Sequence, residues 1–269
     1  MFESAKSKLA RGEYHIAEFK KQLENFSIEH PGRISAEQIN QCLISAKPFN
    51  NTDSTILRVT LPREIPENIL LTIGDAIHNI RVALDHITWS LVEWDGGKLG
   101  HNLDFPISHK DIADYQRVCA AIKTPSTWIN DFFLGCNAYY QGLGEVYYWL
   151  NFIDNMDKHR RIIPVLRAAN LPDIQTYNSN DTKSIFFRGN TINLGDDANG
   201  VICAIPYGGR AKIENGGLCS IELYFDKIDP NIPDYYIRTP IASVLSAFHW
   251  NGCYILGQVE KLIEQYPKV

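Results

Sequence analysis

The chain of 269 residues is 45% hydrophobic and 21% charged, a balance that belongs to folded globular proteins and excludes disordered or low-complexity ones. Its 26 Lys and Arg stand against 31 Asp and Glu, a formal charge of −5. The molecule as a whole therefore has no long-range attraction for nucleic acid or an anionic membrane, and any such contact must come from a local patch. The opening MFESAKSKLARGEYH is charged from its third residue and does not read as a secretory leader. No run approaches the roughly 20 apolar residues that span a bilayer. The six cysteines (Cys42, Cys119, Cys136, Cys203, Cys219 and Cys253) lack the short paired spacing of zinc sites and CxxC redox pairs. The expectation is a cytoplasmic protein with no membrane partner and with reduced thiols, Cys203 and Cys219 being the pair that could face each other across adjacent strands.

Leu9, Ile16, Phe19, Leu23 and Phe26 recur at helical intervals, so about the first 27 residues read as an amphipathic helix ended by His30, Pro31 and Gly32. QCLISAKPF and STILRVTLP read as a β-hairpin over about 41–61. Pro66 suits the first turn of the longest helix, about 66–94, which Gly96 and Gly97 stop. After a loop from Lys98 to Pro106 come two shorter helices, DIADYQRVCAAI and STWINDFFL, the second with Ser126 as N-cap. A further helix runs from about Glu145 until Pro164 interrupts it. From about Asp173 to Asp229, turn residues alternate with SIFFR, TINL, VICAIPY, AKIE and SIELYF, which read as an antiparallel sheet of about five strands. A last amphipathic helix covers about Ile241 to Gln265. The class expected is α+β: a helical bundle over 1–165 plus 241–265, the last helix returning to it, with the sheet of 173–229 inserted.

On the long helix, at about 100° per residue, Leu70, Ile73, Ile77, Ile80, Leu84, Ile87 and Leu91 form the core stripe. The opposite face gathers Asp75, His78, Asn79, Arg81, Asp85 and His86 around Val82 and Trp89. A solvated face usually carries Lys and Glu; Asp, Asn and His are poor helix formers, and an apolar pair among them implies that something covers this face. It is either a satisfied structural network or a binding or catalytic surface.

The run HNIRVALDH, His78 to His86, together with DNMDKHR, Asp154 to Arg160, resembles an uncharacterised bacterial family that carries similar HN-hydrophobic-R-x-A-L-D-H and L-D-N-x-D-K-H-R segments in this order. Within the first run, Arg81 and His86 form R-x4-H, the pattern of the HEPN ribonucleases, helical-bundle proteins that cleave RNA without metal in a cleft commonly formed between two protomers. The resemblance implies a HEPN-like bundle, a homodimer and RNA as substrate, with His86 moving the proton and Arg81 stabilising charge on the phosphate, and no cofactor. Such chemistry suits the residue types: histidine titrates near neutral pH and arginine forks onto phosphate oxygens. His78, Asn79 and Asp85 would support the pair.

On the later helix Asp154 with Lys158 and Asp157 with Arg161 are acid-first i,i+4 pairs. The segment either braces the bundle through ion pairs or brings Lys158, His159, Arg160 and Arg161 to the long helix as an anion-binding patch, with Asp157 positioning Arg81. No HExxH or comparable spacing supports a metal site, no phosphate-binding glycine loop or nucleophile elbow is present, and YGGR at 207–210 reads as a turn. Tyr139, Tyr140, Tyr147, Tyr148, Trp149 and Phe152 either pack the bundle or stack on bases. Two functions stay open: a metal-independent endoribonuclease, or a non-catalytic module that binds a nucleotide, a small anion or a partner protein.

Overall fold

The structure is a computed structural model that describes residues 1–39, 43–44, 47–48, 54–101, 103–159, 164–177, 183–187, 199–205, 209–226 and 232–267. The protein is α+β and divides into two compact units. One holds residues 1–19, 68–162 and 242–269, the other 20–67 and 163–241. Among the described residues no helix is long and apolar enough to cross a membrane.

The first unit is helical. It contains the first part of α1 (Glu3–Glu29), then α2 (Glu67–Trp94), α3 (Ile112–Ala120), α4 (Thr127–Cys136), α5 (Glu145–His159) and α7 (Ile241–Gln265). The α2 stripe is core as its spacing requires: Ile73, Ile77, Ile80, Leu84, Ile87 and Leu91 are buried, each contributing up to about 1.5–3 kcal/mol. Only Leu70 is half-buried. Glycines let the helices approach closely. A Cβ on Gly12 of α1 would come within 2.8 Å of Ile80 Cγ1, and one on Gly252 of α7 within 2.7 Å of Leu9 Cδ2. Gly96, at φ 75°, ends α2. Tyr147, Tyr148 and Trp149 are buried, and Trp149 meets Tyr148 and Phe152 at 4.9 and 5.3 Å between ring centres, so these rings pack the bundle.

Ser126 occupies the N-cap position of α4 without capping it. Its hydroxyl lies 2.5 Å from Asp95 Oδ1, and its amide donates to Asp95 Oδ2 at 2.8 Å. The residue that does cap is Asp111, which accepts from the Asp114 amide at the start of α3.

In the second unit, β1 (Gly32–Ile39), β4 (Ser54–Thr60), β5 (Pro164–Ala169), β8 (Asn199–Ile205) and β10 (Leu218–Phe225) form one antiparallel sheet in the order β5-β10-β1-β4-β8. β6 (Ile174–Tyr177), β7 (Lys183–Phe187) and β9 (Arg210–Ile213) form a second, ordered β7-β6-β9. α6 (Asp234–Arg238) follows. The hairpin expected between QCLISAKPF and STILRVTLP over 41–61 is not the one that forms: β4 pairs with the earlier strand GRISAEQI, with Ile39 opposite Ser54, and within QCLISAKPF β2 (Leu43–Ile44) and β3 (Lys47–Pro48) pair with each other in a two-residue ladder. The hairpin belongs to the sheet rather than to the bundle, because β1 pairs with β10 and β4 with β8. Pro164 opens β5, a place in a strand that tolerates its missing N–H. Cys203 and Cys219 lie on β8 and β10, which are not neighbours, and Cys219 is a free thiol, which removes the cross-strand pair. TINL at 191–194 lies outside the described residues, as do Tyr207 and Gly208 of YGGR.

Candidate functional site

The two sequence motifs meet. Along the seam of α2 and α5, His78 Nδ1 lies 3.1 Å from Asp154 Oδ1, and one turn further on α2 Arg81 Nε donates to Asn151 Oδ1 at 2.8 Å. In the other direction the backbone of Gly74 abuts Asp157, whose Cγ would stand 2.9 Å from an added Cβ. Contacts climb α2 as they descend α5, so the helices are antiparallel. Asn151, Asp154 and Lys158, spaced by three and four, share one face of α5.

Arg81 is only 8% exposed. Its Nη1 forms an ion pair with Asp85, one turn ahead on α2, and Asp85 Oδ1 also accepts the backbone N–H of Phe105 at 2.9 Å. Burial pushes the Asp85 carboxyl above its ordinary range, outweighing the pull of Arg81 and of the Phe105 amide. Asn151 Nδ2 stands 3.4 Å from His109 Nε2, so the amide links His109 to Arg81. Asp154 is 1% exposed and uses both oxygens, one toward His78 and the other accepting from Lys158 Nζ at 2.5 Å. This is the i,i+4 pair expected from the sequence. Asp157 is pushed up by burial first and then by Asp154 and Asp75, against His78 and Lys158. The groups that hold Arg81 are Asp85 and Asn151, in place of the expected Asp157.

The other flank of α2 faces α1. Asn79 Nδ2 donates to the Asp75 carbonyl at 2.8 Å, while Lys8 Nζ donates to Asn79 Oδ1 at 3.3 Å. His86 Nδ1 lies 2.5 Å from Ser4 Oγ. Arg81 and His86 thus engage different helices and share no partner, as the 140° between positions five apart on a helix requires. His159 ends α5. Arg160 and Arg161, with the Asp157 to Arg161 pair, lie outside the described residues.

Beside the Arg81 end of the seam opens a cleft of about 670 Å³, lined by Arg81 and Asn151 together with Lys98, His101 and Lys123. The last three are exposed, whereas Leu103, Phe105 and Ile122 give the cleft an apolar side. Exposed Asp104 also lines the cleft, so Arg81, Lys98 and Lys123 stand against one carboxylate and the lining keeps a net positive charge beside its apolar side. Among the described residues no group of three or more His, Cys, Asp or Glu is placed to hold a metal ion.

Sequence reasoning missed Asn151, His109, Lys98, His101 and Lys123. Asn151 was within reach, since it lies three residues before Asp154 on the same face. The other four stand in or beside loops, where no periodicity marks them. The chain matches no protein-family model, and neither a curated protein nor a solved structure is significantly similar to it.

Proposed function

We propose that the helical unit binds a phosphate-bearing ligand, RNA or a nucleotide, in the cleft at Arg81. The observation that carries this reading is a buried arginine, held by Asp85 and Asn151, lining an open cleft whose rim sets Lys98, His101 and Lys123 against a single carboxylate, Asp104. With Nε and Nη1 committed, the guanidinium still offers Nη2 to a phosphate oxygen, already oriented and at little entropic cost. In a chain of net charge −5 the two rim lysines supply the local attraction. Binding of a labelled single-stranded RNA, followed by fluorescence anisotropy between about 50 and 200 mM salt, should weaken steeply with salt. Replacing Lys98 and Lys123 together by Ala should weaken it at least tenfold and flatten the salt slope by about one to two. Equal affinity and slope in the double variant would refute the reading.

A second reading is the catalytic form of the same site: metal-independent cleavage of the bound RNA, as the likeness to HEPN ribonucleases implies, with Arg81 stabilising the phosphate and a histidine moving the proton. The Ser4 contact fixes the His86 ring through Nδ1 and leaves Nε2 for a proton. A homodimer would supply His86 of one copy to Arg81 of the other. RNA cleavage in EDTA that is lost in Arg81→Ala tests this reading; an intact, RNA-binding protein that cleaves nothing contradicts it.

A further inference from the structure

The helical unit holds a second cavity, of about 440 Å³, that shares no residue with the Arg81 cleft. It opens where the end of α4 and the start of α5 meet the middle of α7, with Phe132, Val146 and Ile255 as apolar walls and the amides of Asn251 and Gln258 beside them. Its size lies within the roughly 300–1,000 Å³ of small-molecule sites. None of the described residues that line it is charged, so an ion entering it would give up its hydration and find no partner. Two tyrosines give the cavity direction. Tyr147 is 5% exposed, yet its hydroxyl has no hydrogen-bond partner among the described residues. Burial raises the pKa of that hydroxyl, and the nearby Cys136 and Tyr254 push it the same way. Both neighbours line the cavity, so the hydroxyl stands at its wall. Cys136 spends its thiol on the Phe132 carbonyl at 3.4 Å, and Asn251 an amide N–H on the Ala247 carbonyl at 2.8 Å. A buried hydroxyl left without a partner is costly unless something else meets it. Tyr254 is exposed and stacks on Trp250, 5.5 Å between ring centres and 15° between planes. Trp250 does not line the cavity, whereas Gln258, one turn beyond Tyr254 on its other side, does. The Tyr254 ring thus has one face on Trp250 and the other toward the cavity.

We propose that this cavity binds an uncharged, planar aromatic molecule that stacks on the free face of Tyr254 and donates an N–H or O–H to the Tyr147 hydroxyl oxygen. Aromatic rings attract each other most at centre separations of about 4.5–7 Å in offset or edge-on arrangements, and an open ring face beside apolar walls offers both. The hydroxyl oxygen has lone pairs for a donor on the edge of the ligand. With one of its N–H groups spent on Ala247, Asn251 keeps Oδ1 as a further acceptor. A carboxylate or phosphate finds no cation here, which separates this cavity from the cleft at Arg81: one is built for charge, the other for a neutral ring. Neither site requires the other.

The test titrates the full chain with indole, and with indole-3-carboxylate as its charged counterpart, while the methyl resonances of Leu143, Val146 and Ile255 at the cavity are followed against those of Leu103, Ile107 and Ile122 at the Arg81 cleft. Indole should shift the first three saturably and leave the second three in place, and the carboxylate should bind at least tenfold more weakly. Tyr147→Phe removes an oxygen that no described protein group holds, so its thermal midpoint should equal or exceed that of the parent while its affinity for indole falls about fivefold. Tyr254→Ala, at an exposed position, should keep the fold and weaken indole about tenfold. Absence of saturable shifts at the cavity, equal affinity for the carboxylate, or unchanged indole affinity in either variant overturns the proposal. Shifts confined to Leu103, Ile107 and Ile122 place the ring in the Arg81 cleft and overturn it too. A Tyr147→Phe midpoint well below the parent's would mean that the hydroxyl is already held by the protein, which also overturns it.

Discussion

The two flanks of α2 carry similar residues and treat them differently. Toward α5, His78, Arg81 and Asp85 interlock with Asn151, Asp154 and the Phe105 amide, and the network opens at one end into a cleft. Toward α1, Asn79 and His86 are each answered by a single side chain, Lys8 and Ser4. A network whose members satisfy each other holds its geometry when one contact fluctuates, whereas a lone contact fixes only its own two residues. Preorganisation for a ligand therefore belongs to the α5 flank. The lesson is that a polar helix face is not one site: its two margins answer to different neighbours.

Arg81→Ala should break this contrast most strongly. It strands the partly buried Asp85 without its cation and should cost about 3 kcal/mol or more, read as a drop in the urea midpoint. Asp154→Ala comes next, at about 2 kcal/mol, since it removes two hydrogen bonds involving charged or polar groups while water can serve the half-exposed His78 and Lys158. On the α1 flank Ser4→Ala should cost about 1 kcal/mol or less. Equal costs on both flanks would erase the distinction between them.

Asp85 sharpens the comparison through pH. Its carboxyl is raised in the folded protein above the ordinary aspartate value, with burial the leading cause. A raised folded pKa means that the folded state holds the proton more tightly than the unfolded one. The stability Asp85 contributes is then full below its unfolded pKa and is lost as pH rises through the raised value. Urea unfolding of the parent and of Asp85→Asn across pH 3 to 7 should show the parent's relative stability falling as pH rises. A relative stability that grows with pH would mean that the Arg81 attraction, not burial, governs this carboxyl.

Much of the helical unit was legible in the sequence because strongly periodic stripes survive in the fold. The long helix expected over 66–94 is Glu67–Trp94, and the last is Ile241–Gln265 as read. The sheet was legible in class but not in membership: the strands expected in one sheet over 173–229 divide between two, with β8 and β10 in one and β7 and β9 in the other, and the first takes β1, β4 and β5 from outside that span. In GRISAEQI, Ile34 is buried, Ser35 half-buried and Ala36, Glu37 and Gln38 exposed, so burial does not alternate beyond Ile34. PVLRAA is an edge strand whose burial does not alternate either. Neither carries the period that marks a strand from sequence. For the site, the meeting of the two motifs was readable, since unusual polar residues on two helices need partners. The choice of Asp85 and Asn151 for Arg81 was not, because it depends on the depth at which α5 crosses α2. The cleft rim escaped for a different reason: Lys98, His101, Asp104 and Lys123 converge only once the loop from Lys98 to Pro106 is placed beside the end of α3.

The most direct test of the central claim, that the Arg81 cleft is where a phosphate-bearing ligand is recognised, is the affinity of Arg81→Lys for single-stranded RNA at fixed salt. Lysine keeps the charge but cannot hold Asn151 and Asp85 at once and still offer an oriented N–H to a phosphate. The account predicts binding at least tenfold weaker with the fold retained. Affinity equal to that of the parent would place recognition elsewhere on the molecule.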